Sequence, residues 1–254
     1  MTGRLAVIGL GPGDARSLTP EADAALAAAD ALYGYGPYLD RVPARVAQRR
    51  HTSDNREERA RAEAALTHAA RGACVAVVSG GDPGVFAMAA AVCEAIECGP
   101  PIWRALDVVI IPGITAMLAV AARIGAPLGS DFCALSLSDN LKPWELIEQR
   151  LDAAVGAGFV IALYNPLSRA RPWQFGAAME RLRRHLPSAT PVVFGRAVGR
   201  PDENVSVVTL GDADAASADM ATLVIIGSRA TRVVERLDRT PLVYTPRAVV
   251  EVSA

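Results

Sequence analysis

Arg4-Leu5-Ala6-Val7-Ile8-Gly9-Leu10-Gly11-Pro12-Gly13 decides the fold. A short β-rich apolar run ends abruptly in glycines, which reads as a buried strand feeding a loop. The pattern recurs. Cys74-Val75-Ala76-Val77-Val78-Ser79 is stopped by Gly80-Gly81-Asp82-Pro83-Gly84, and Asp107-Val108-Val109-Ile110-Ile111 is stopped by Pro112-Gly113. Between these runs lie Ala-rich stretches of helical composition. The first is opened by Thr19-Pro20-Glu21, a cap residue, a proline suited to the first helical position and an acid in the first turn. Helices are expected over 19–29, 56–71, 86–97 and 115–124, with a further strand at 31–33.

The alternation then restarts. Strands are expected at 132–137, 159–164, 191–196, 205–210 and 222–226, and helices at 144–155 and 172–185. Asp139 or Asn140 is placed near the cap of the first of these helices, and 233–237 reads as at most a turn of helix. The tail beyond Pro241 reads as extended. Strands alternating with helices of ten to fifteen residues mean an α/β protein. The length, 254 residues, suits one large domain or two small ones. The break around 112–129 favours two α/β domains, 1–118 and 119–254.

Composition bounds the function. Hydrophobic residues make up 51% of the chain, enough for a sizeable core, which excludes a disordered chain. With 26 basic and 27 acidic residues the net charge is -1, which argues against a general nucleic-acid binder. Lys142 is the sole lysine, so the positive charge is carried by arginine, whose fork suits carboxylate ligands. A GC-rich genome explains the same bias. Cys74, Cys93, Cys98 and Cys133 show no C-x-x-C pair and no zinc spacing, so no metal site is expected and a reducing compartment is. Cys74 and Cys133, inside apolar runs, read as small hydrophobes. The N-terminal apolar run is too short for a signal peptide. The longest apolar region, 108–122, is broken by Pro112 and Gly113 and falls short of the ~18 residues of a membrane span. A soluble, cytoplasmic protein is expected.

Three glycine-bearing turns at strand ends of one sheet point to a shared ligand site, because ligands of open α/β sheets bind beyond the carboxyl ends of strands. Lack of side chains there lets backbone groups approach a ligand. The dinucleotide spacing G-x-G-x-x-G fails, since its third position is Asp14, and Pro12 withholds an N–H. No phosphate-binding G-x-x-x-x-G-K-[ST] exists, because Lys142 follows no glycine. A ligand with little phosphate and a positive or zwitterionic part fits better, with Asp14 or Asp82 facing the cation. Ser79 lacks the G-x-S-x-G context of a nucleophile. His68 and His185 read as exposed helix positions, and His51 as part of a polar loop in which Ser53 or Asp54 caps the next helix. With no triad and no metal spacing, the chemistry falls to the bound ligands, positioned by the protein.

The loops G-L-G-P-G at 9–13, S-G-G-D-P-G-V-F at 79–86 and P-G-I-T-A at 112–116 resemble the tetrapyrrole methylase family, over nearly the whole chain. The segments Gly34-Tyr35-Gly36-Pro37-Tyr38, Asp54-Asn55-Arg56, Ser136-Leu137-Ser138-Asp139-Asn140-Leu141-Lys142-Pro143-Trp144 and Leu163-Tyr164-Asn165-Pro166 resemble its ring-contracting branch. Phe86 stands where that branch often has Tyr, so an aromatic hydroxyl has no role there. The resemblance implies two α/β domains with a cofactor cleft between them, and a homodimer. It implies S-adenosylmethionine as methyl donor, released as S-adenosylhomocysteine, and methylation of precorrin-3B at carbon 17 with ring contraction to precorrin-4. Cofactor contacts are then expected from Gly9, Gly11, Pro12, Gly13, Gly81, Asp82, Pro83, Val85, Phe86, Thr115 and Ala116. Tyr164, Asn165, Ala197, Val198, Gly227 and Ser228 join them as strand-end residues of the second half. Substrate contacts are expected from Tyr38, Asn55, Arg56, Ser136, Ser138, Asp139, Arg169 and Arg171. Ring contraction needs proton transfers, for which Asp82, Tyr38, Asp139 and His51 are candidates, Asp82 first, as cofactor ligand or proton carrier. The alternatives are another methylase of the family, such as a uroporphyrinogen-III or cobalt-precorrin-3 enzyme, diphthine synthase, an NAD-binding oxidoreductase, or a non-catalytic binding module.

Overall fold

The computed structural model describes residues 3–248, in two compact units, Met1–Ala116 and Met117–Ala254. The first holds β1 (Arg4–Gly9), α1 (Pro20–Ala28), β2 (Ala31–Tyr35), α2 (Gly36–Leu39), β3 (Arg49–Ser53), α3 (Glu58–Ala69), β4 (Cys74–Ser79), α4 (Met88–Cys98) and β5 (Asp107–Ile111). Its five strands form one sheet in the order β3-β2-β4-β1-β5, parallel at each pairing. Strands buried on both faces read as unbroken apolar runs, and β1 and β4 are buried in all but their first residue. Alternate side chains serve opposite faces. Leu5, Val7, Val75 and Val77 pack under α3 and α4. Ala6, Ile8, Ala76 and Val78 pack with Ala22 and Leu26 of α1.

The central pair β1 and β4 is the topological switch. From β1 the chain crosses to β2 on one side, and from β4 to β5 on the other. Loops leaving such a pair diverge and open a crevice at the carboxyl ends. The loops after β1, β4 and β5 therefore share one end of the sheet.

The second unit contains α5 (Ala116–Ile124, whose first residue closes the first unit), β6 (Gly125–Ala126), β7 (Phe132–Ser136), α6 (Trp144–Gly156), β8 (Val160–Tyr164) and α7 (Gln174–Arg183). It continues with β9 (Pro191–Arg196), β10 (Asn204–Thr209), β11 (Thr222–Ile226), β12 (Arg232–Arg236) and β13 (Arg239–Tyr244). Its main sheet runs β10-β9-β11-β8-β7, with only β7 and β8 parallel to one another. Helices α6 and α7 cover one face around Phe175, Leu151 and Leu163. On β9, a Cβ added at Gly195 would collide with Val120 of α5, so glycine there lets helix and sheet meet.

The expected α/β alternation is found, with α1 capped as read: Thr19 Oγ1 accepts from Ala22 N at 3.1 Å, with Pro20 at the first helical position. Several expectations are corrected. The stretch taken as a polar loop around His51 is β3, an edge strand whose polarity suits its exposure. Neither Ser53 nor Asp54 caps α3, where Glu57 occupies the cap without a side-chain bond to the helix amides. The turn after Tyr35 is the short helix α2. Pro143, rather than Asp139 or Asn140, stands at the cap of α6. The segment expected as at most a helical turn is β12, in a hairpin with β13 through Leu237 and Asp238. That turn contains no glycine, and Asp238 takes the left-handed φ of 52° itself, so the usual hairpin signal is missing. Cys74, expected as a small hydrophobe, is exposed at the start of its strand.

Candidate functional site

Within the first unit the three glycine-bearing loops are locked together. Leu10 N donates to Ser79 O at 2.9 Å. Gly11 and Gly81 exchange amide bonds at 3.1 and 2.9 Å, forming an isolated antiparallel bridge. Both have φ of +67°, a left-handed value that glycine adopts without steric cost. Arg41, just beyond α2, adds a clamp. Its Nη2 donates to Leu10 O at 2.8 Å and to Gly11 O at 2.9 Å.

The third loop meets the other two without intervening side chains. A Cβ on Gly9 would lie 2.6 Å from Gly113 N and 2.7 Å from Gly81 O, and one on Gly113 would strike Gly81 O. This corrects the reason for two of the glycines. At positions 9 and 113 the space is filled by the chain's own backbone, so glycine is required for loop to pack on loop. Asp82 finishes the assembly. Its Oδ1 accepts from Gly84 N at 2.8 Å and its Oδ2 from Gly113 N at 3.1 Å, so one carboxylate joins the second loop to the third.

Tyr38, in α2, borders the same cluster. A Cβ on Gly80 would be 2.7 Å from its ring, and the ring makes an edge contact with Tyr35. Phe86 is 52% exposed at φ 51°, a strained conformation for an aromatic residue, of the kind that concentrates at ligand sites. Pro12, Gly13 and Pro83 are half-buried or buried nearby in the chain, Val85 N donates to Asp82 O at 3.3 Å, and Thr115 is buried. Asp14, one of the two carboxylates expected to face a cation, has local partners. It caps the short 3-10 turn Ala15–Ser17 and pairs with Arg16.

Elsewhere in this unit, Asn55 and Arg56 are exposed on the turn between β3 and α3. His51 stacks on Tyr33 with ring centroids 4.3 Å apart, and the Tyr33 hydroxyl meets His68 Nδ1 at 3.1 Å. His68, expected to be a solvated helix residue, thus has a partner. Among the described residues no group of His, Cys, Asp and Glu is placed to hold a metal, and no helix is long and apolar enough to cross a membrane.

The second unit gathers another polar cluster at the ends of its parallel pair, β7 and β8. Asn165, at φ 52°, donates from Nδ2 to Ser136 Oγ at 3.0 Å, and Ser138 N donates to the same oxygen at 3.3 Å. Asp139 accepts from Gln174 Nε2 at 2.9 Å, and Lys142 Nζ donates to Ser138 O at 3.2 Å. Burial pulls the Lys142 ammonium below its usual range, Arg150 adds to this, and Asp139 opposes it. Tyr164 Oη accepts from Met117 N at 3.2 Å.

Arg171 and Gly227 differ from expectation here. Arg171 is only 6% exposed, and its Nη1 is spent on Asn165 O and Leu137 O. It holds the two motif loops together and presents no open fork to a substrate carboxylate. Arg169 is exposed and makes no ion pair among the described residues. Gly227 was grouped with Asn165 and Ala197 as a strand-end residue, but β11 runs antiparallel to β8 and β9. Its carboxyl end therefore lies at the opposite end of the strands, where Thr231 fills the space over Gly227 and Thr231 Oγ1 accepts from Ser228 N at 2.8 Å. Ala197, at φ 49°, remains on the Asn165 side, with Val198 buried beside it in sequence. Sequence reasoning had no signal for Arg41 or Gln174, whose roles arise from contacts distant in the chain.

Comparison with known proteins agrees with this geometry. Residues 4–214 match the profile of the tetrapyrrole (corrin/porphyrin) methylases. The chain is 66% identical over 247 residues to a precorrin-3B C(17)-methyltransferase of Sinorhizobium sp, with 97% of each chain covered. The crystal structure of the methyltransferase CobJ superposes with a TM-score of 0.91 at 50% identity, over 96% of this chain and all of that one. A uroporphyrin-III C-methyltransferase from Thermus thermophilus, solved with S-adenosylhomocysteine, shares the fold at 21% identity with a TM-score of 0.65, over 89% of this chain and 97% of that one.

Proposed function

The chain belongs to the tetrapyrrole methylase family, and from that premise we propose that it methylates carbon 17 of precorrin-3B from S-adenosylmethionine, with ring contraction to precorrin-4. The observation that carries this reading is the 66% identity, across almost the full length of both chains, to a relative of that activity.

The first unit's loops suit such a methyl donor in their chemistry. The amides of Gly11, Gly81, Gly84 and Gly113 are all consumed by the chain's own acceptors, and Pro12 has none to offer. These four amides are closed to a diphosphate, whereas a sulfonium compound with a zwitterionic tail does not depend on them. Bound there, S-adenosylmethionine supplies an electrophilic methyl group for in-line displacement. The protein's part is alignment, which alone contributes about 7–11 kcal/mol in well-oriented reactions. We assign cofactor contacts in this unit to residues 9–13, 81–86, 115 and 116. Asp82, with both oxygens occupied by amides, acts as the brace of that site.

In the second unit, Tyr164, Asn165 and Ala197 are the residues we assign to ligand contact, since two of them hold left-handed backbone at strand ends. Ser136, Ser138 and Asp139 on the neighbouring turn, with Asn55, Arg56, Tyr38 and the exposed Arg169, are assigned to the tetrapyrrole. Tyr38 and Asp139 are the candidates for proton transfer during ring contraction. The reading also includes a homodimer, supported by the exposed apolar side chains of the β12–β13 hairpin, Leu237 at 89% exposure foremost. It places the enzyme in the cytoplasm, in keeping with four free cysteines.

The test is incubation of the purified protein with S-adenosylmethionine and either metal-free precorrin-3B or its cobalt form, read by mass spectrometry. Release of S-adenosylhomocysteine with a gain of one methyl on the metal-free substrate is expected. Turnover of the cobalt form alone, or of uroporphyrinogen-III, overturns the substrate assignment.

A further inference from the structure

Arg61 is a buried charge without a counter-ion. It sits in the first turn of α3, is 4% exposed, and makes no ion pair among the described residues. Its three nitrogens are spent on neutral groups instead. Nε donates to Ser53 Oγ at 2.7 Å, Nη2 to Asp54 O at 2.6 Å, and Nη1 to Met88 Sδ at 3.2 Å. Thioether sulfur is a weak acceptor, so the desolvated guanidinium is poorly compensated. Its acidity is raised by burial, with Glu58, Glu57, Tyr38 and Asp54 opposing. An apolar side chain would fill such a place at less cost. What arginine alone provides here is a rigid fork that reaches three elements at once: the end of β3, the turn after it, and the start of α4.

The turn it grips is the one that carries Asn55 and Arg56 outward. Asp54 is held from beneath through its carbonyl, while its side chain accepts from Asn55 N at 2.6 Å and its own amide donates to Glu57 Oε2 at 2.8 Å. Met88, at the other end of the fork, follows the strained Phe86 by two residues. We propose that Arg61 is a positioning residue, which fixes the 53–56 turn so that Asn55 and Arg56 can bind a carboxylate of the tetrapyrrole. The inference rests on the substrate assignment made above. The carboxylates of Asp54, Glu57 and Glu58 lie near Arg61, so its part is mechanical: the bonds to Ser53 and Asp54 hold the turn in one shape.

The test compares Arg61→Met, Arg56→Ala and the double variant in steady-state turnover of precorrin-3B, with calorimetry of S-adenosylhomocysteine on each. For Arg61→Met, KM for the tetrapyrrole is expected to rise about tenfold with kcat within about threefold, the signature of lost binding common to ground and transition states. Affinity for S-adenosylhomocysteine should stay within about twofold, and the double variant should be no worse than Arg56→Ala alone, since both act on one contact. Additive effects, or a KM unchanged in Arg61→Met while Arg56→Ala raises it, overturn the role of Arg61. If Arg56→Ala leaves KM unchanged, the substrate assignment of the turn fails instead. Should Arg61→Met not fold, Ser53→Ala removes one acceptor of the fork. A KM rise of a few fold supports the proposal, and wild-type KM sinks it.

Discussion

Asp82 spends both carboxylate oxygens on amides of two different loops. Removing it leaves two N–H groups without their acceptor, a loss of about 1–3 kcal/mol for each one that stays buried. Asp82→Ala should therefore weaken S-adenosylhomocysteine binding about tenfold or more by calorimetry. Asp82→Asn, which keeps one acceptor, should fall between it and the wild type. Equal affinity in all three proteins would remove Asp82 from the site. The glycines around it were legible as punctuation at strand ends. Their cause was not, because Gly9, Gly81 and Gly113 belong to loops far apart in the chain and only the fold reveals that they touch. Arg171 shows the converse: an arginine after a motif reads as a ligand fork, and only its burial reveals that the chain consumes it.

At the scale of elements, the apolar central strands were readable because they are buried on both faces. The elements that escaped reading sit at edges. Strand β3, Arg-Arg-His-Thr-Ser, has no apolar pattern to see, and the β12–β13 hairpin turns without glycine. Gly227 was misplaced because a strand's direction is set by its neighbours and leaves no trace in its own residues. Strand β3 also carries a pH dependence. His51 stacks on Tyr33 and loses hydration there, and the positive charges of His68 and Arg49 add to the effect, so its proton is held less tightly than in the unfolded chain. The unfolded state then binds more protons, and stability falls as pH drops below about 6.5, levelling off once the folded form is protonated too. Thermal unfolding followed from pH 7.5 to 5 should show a shallower decline in His51→Asn than in the wild type. Parallel profiles would exclude His51 as the source.

For the molecule as a whole, a ligand that binds only the folded form must stabilise it. S-adenosylhomocysteine at a hundredfold excess over its Kd should contribute about 2.7 kcal/mol, visible as a raised melting temperature. Hydrogen exchange should slow in the first unit at residues 9–13, 79–86 and 112–116. Protection confined to other segments would move the cofactor away from the glycine-bearing loops. The sheet order of that unit has a separate consequence. Strand β1 lies between β4 and β5, with Arg4 opposite both Cys74 and Asp107. On the ribosome, β1 thus has no neighbour to pair with in its sheet until translation has passed residue 79, and its second edge stays bare until residue 111. Pairing over so long an interval is slow. The nascent chain must therefore carry a sticky, unmatched β1 strand through this interval, a natural client for chaperones that patrol the tunnel exit.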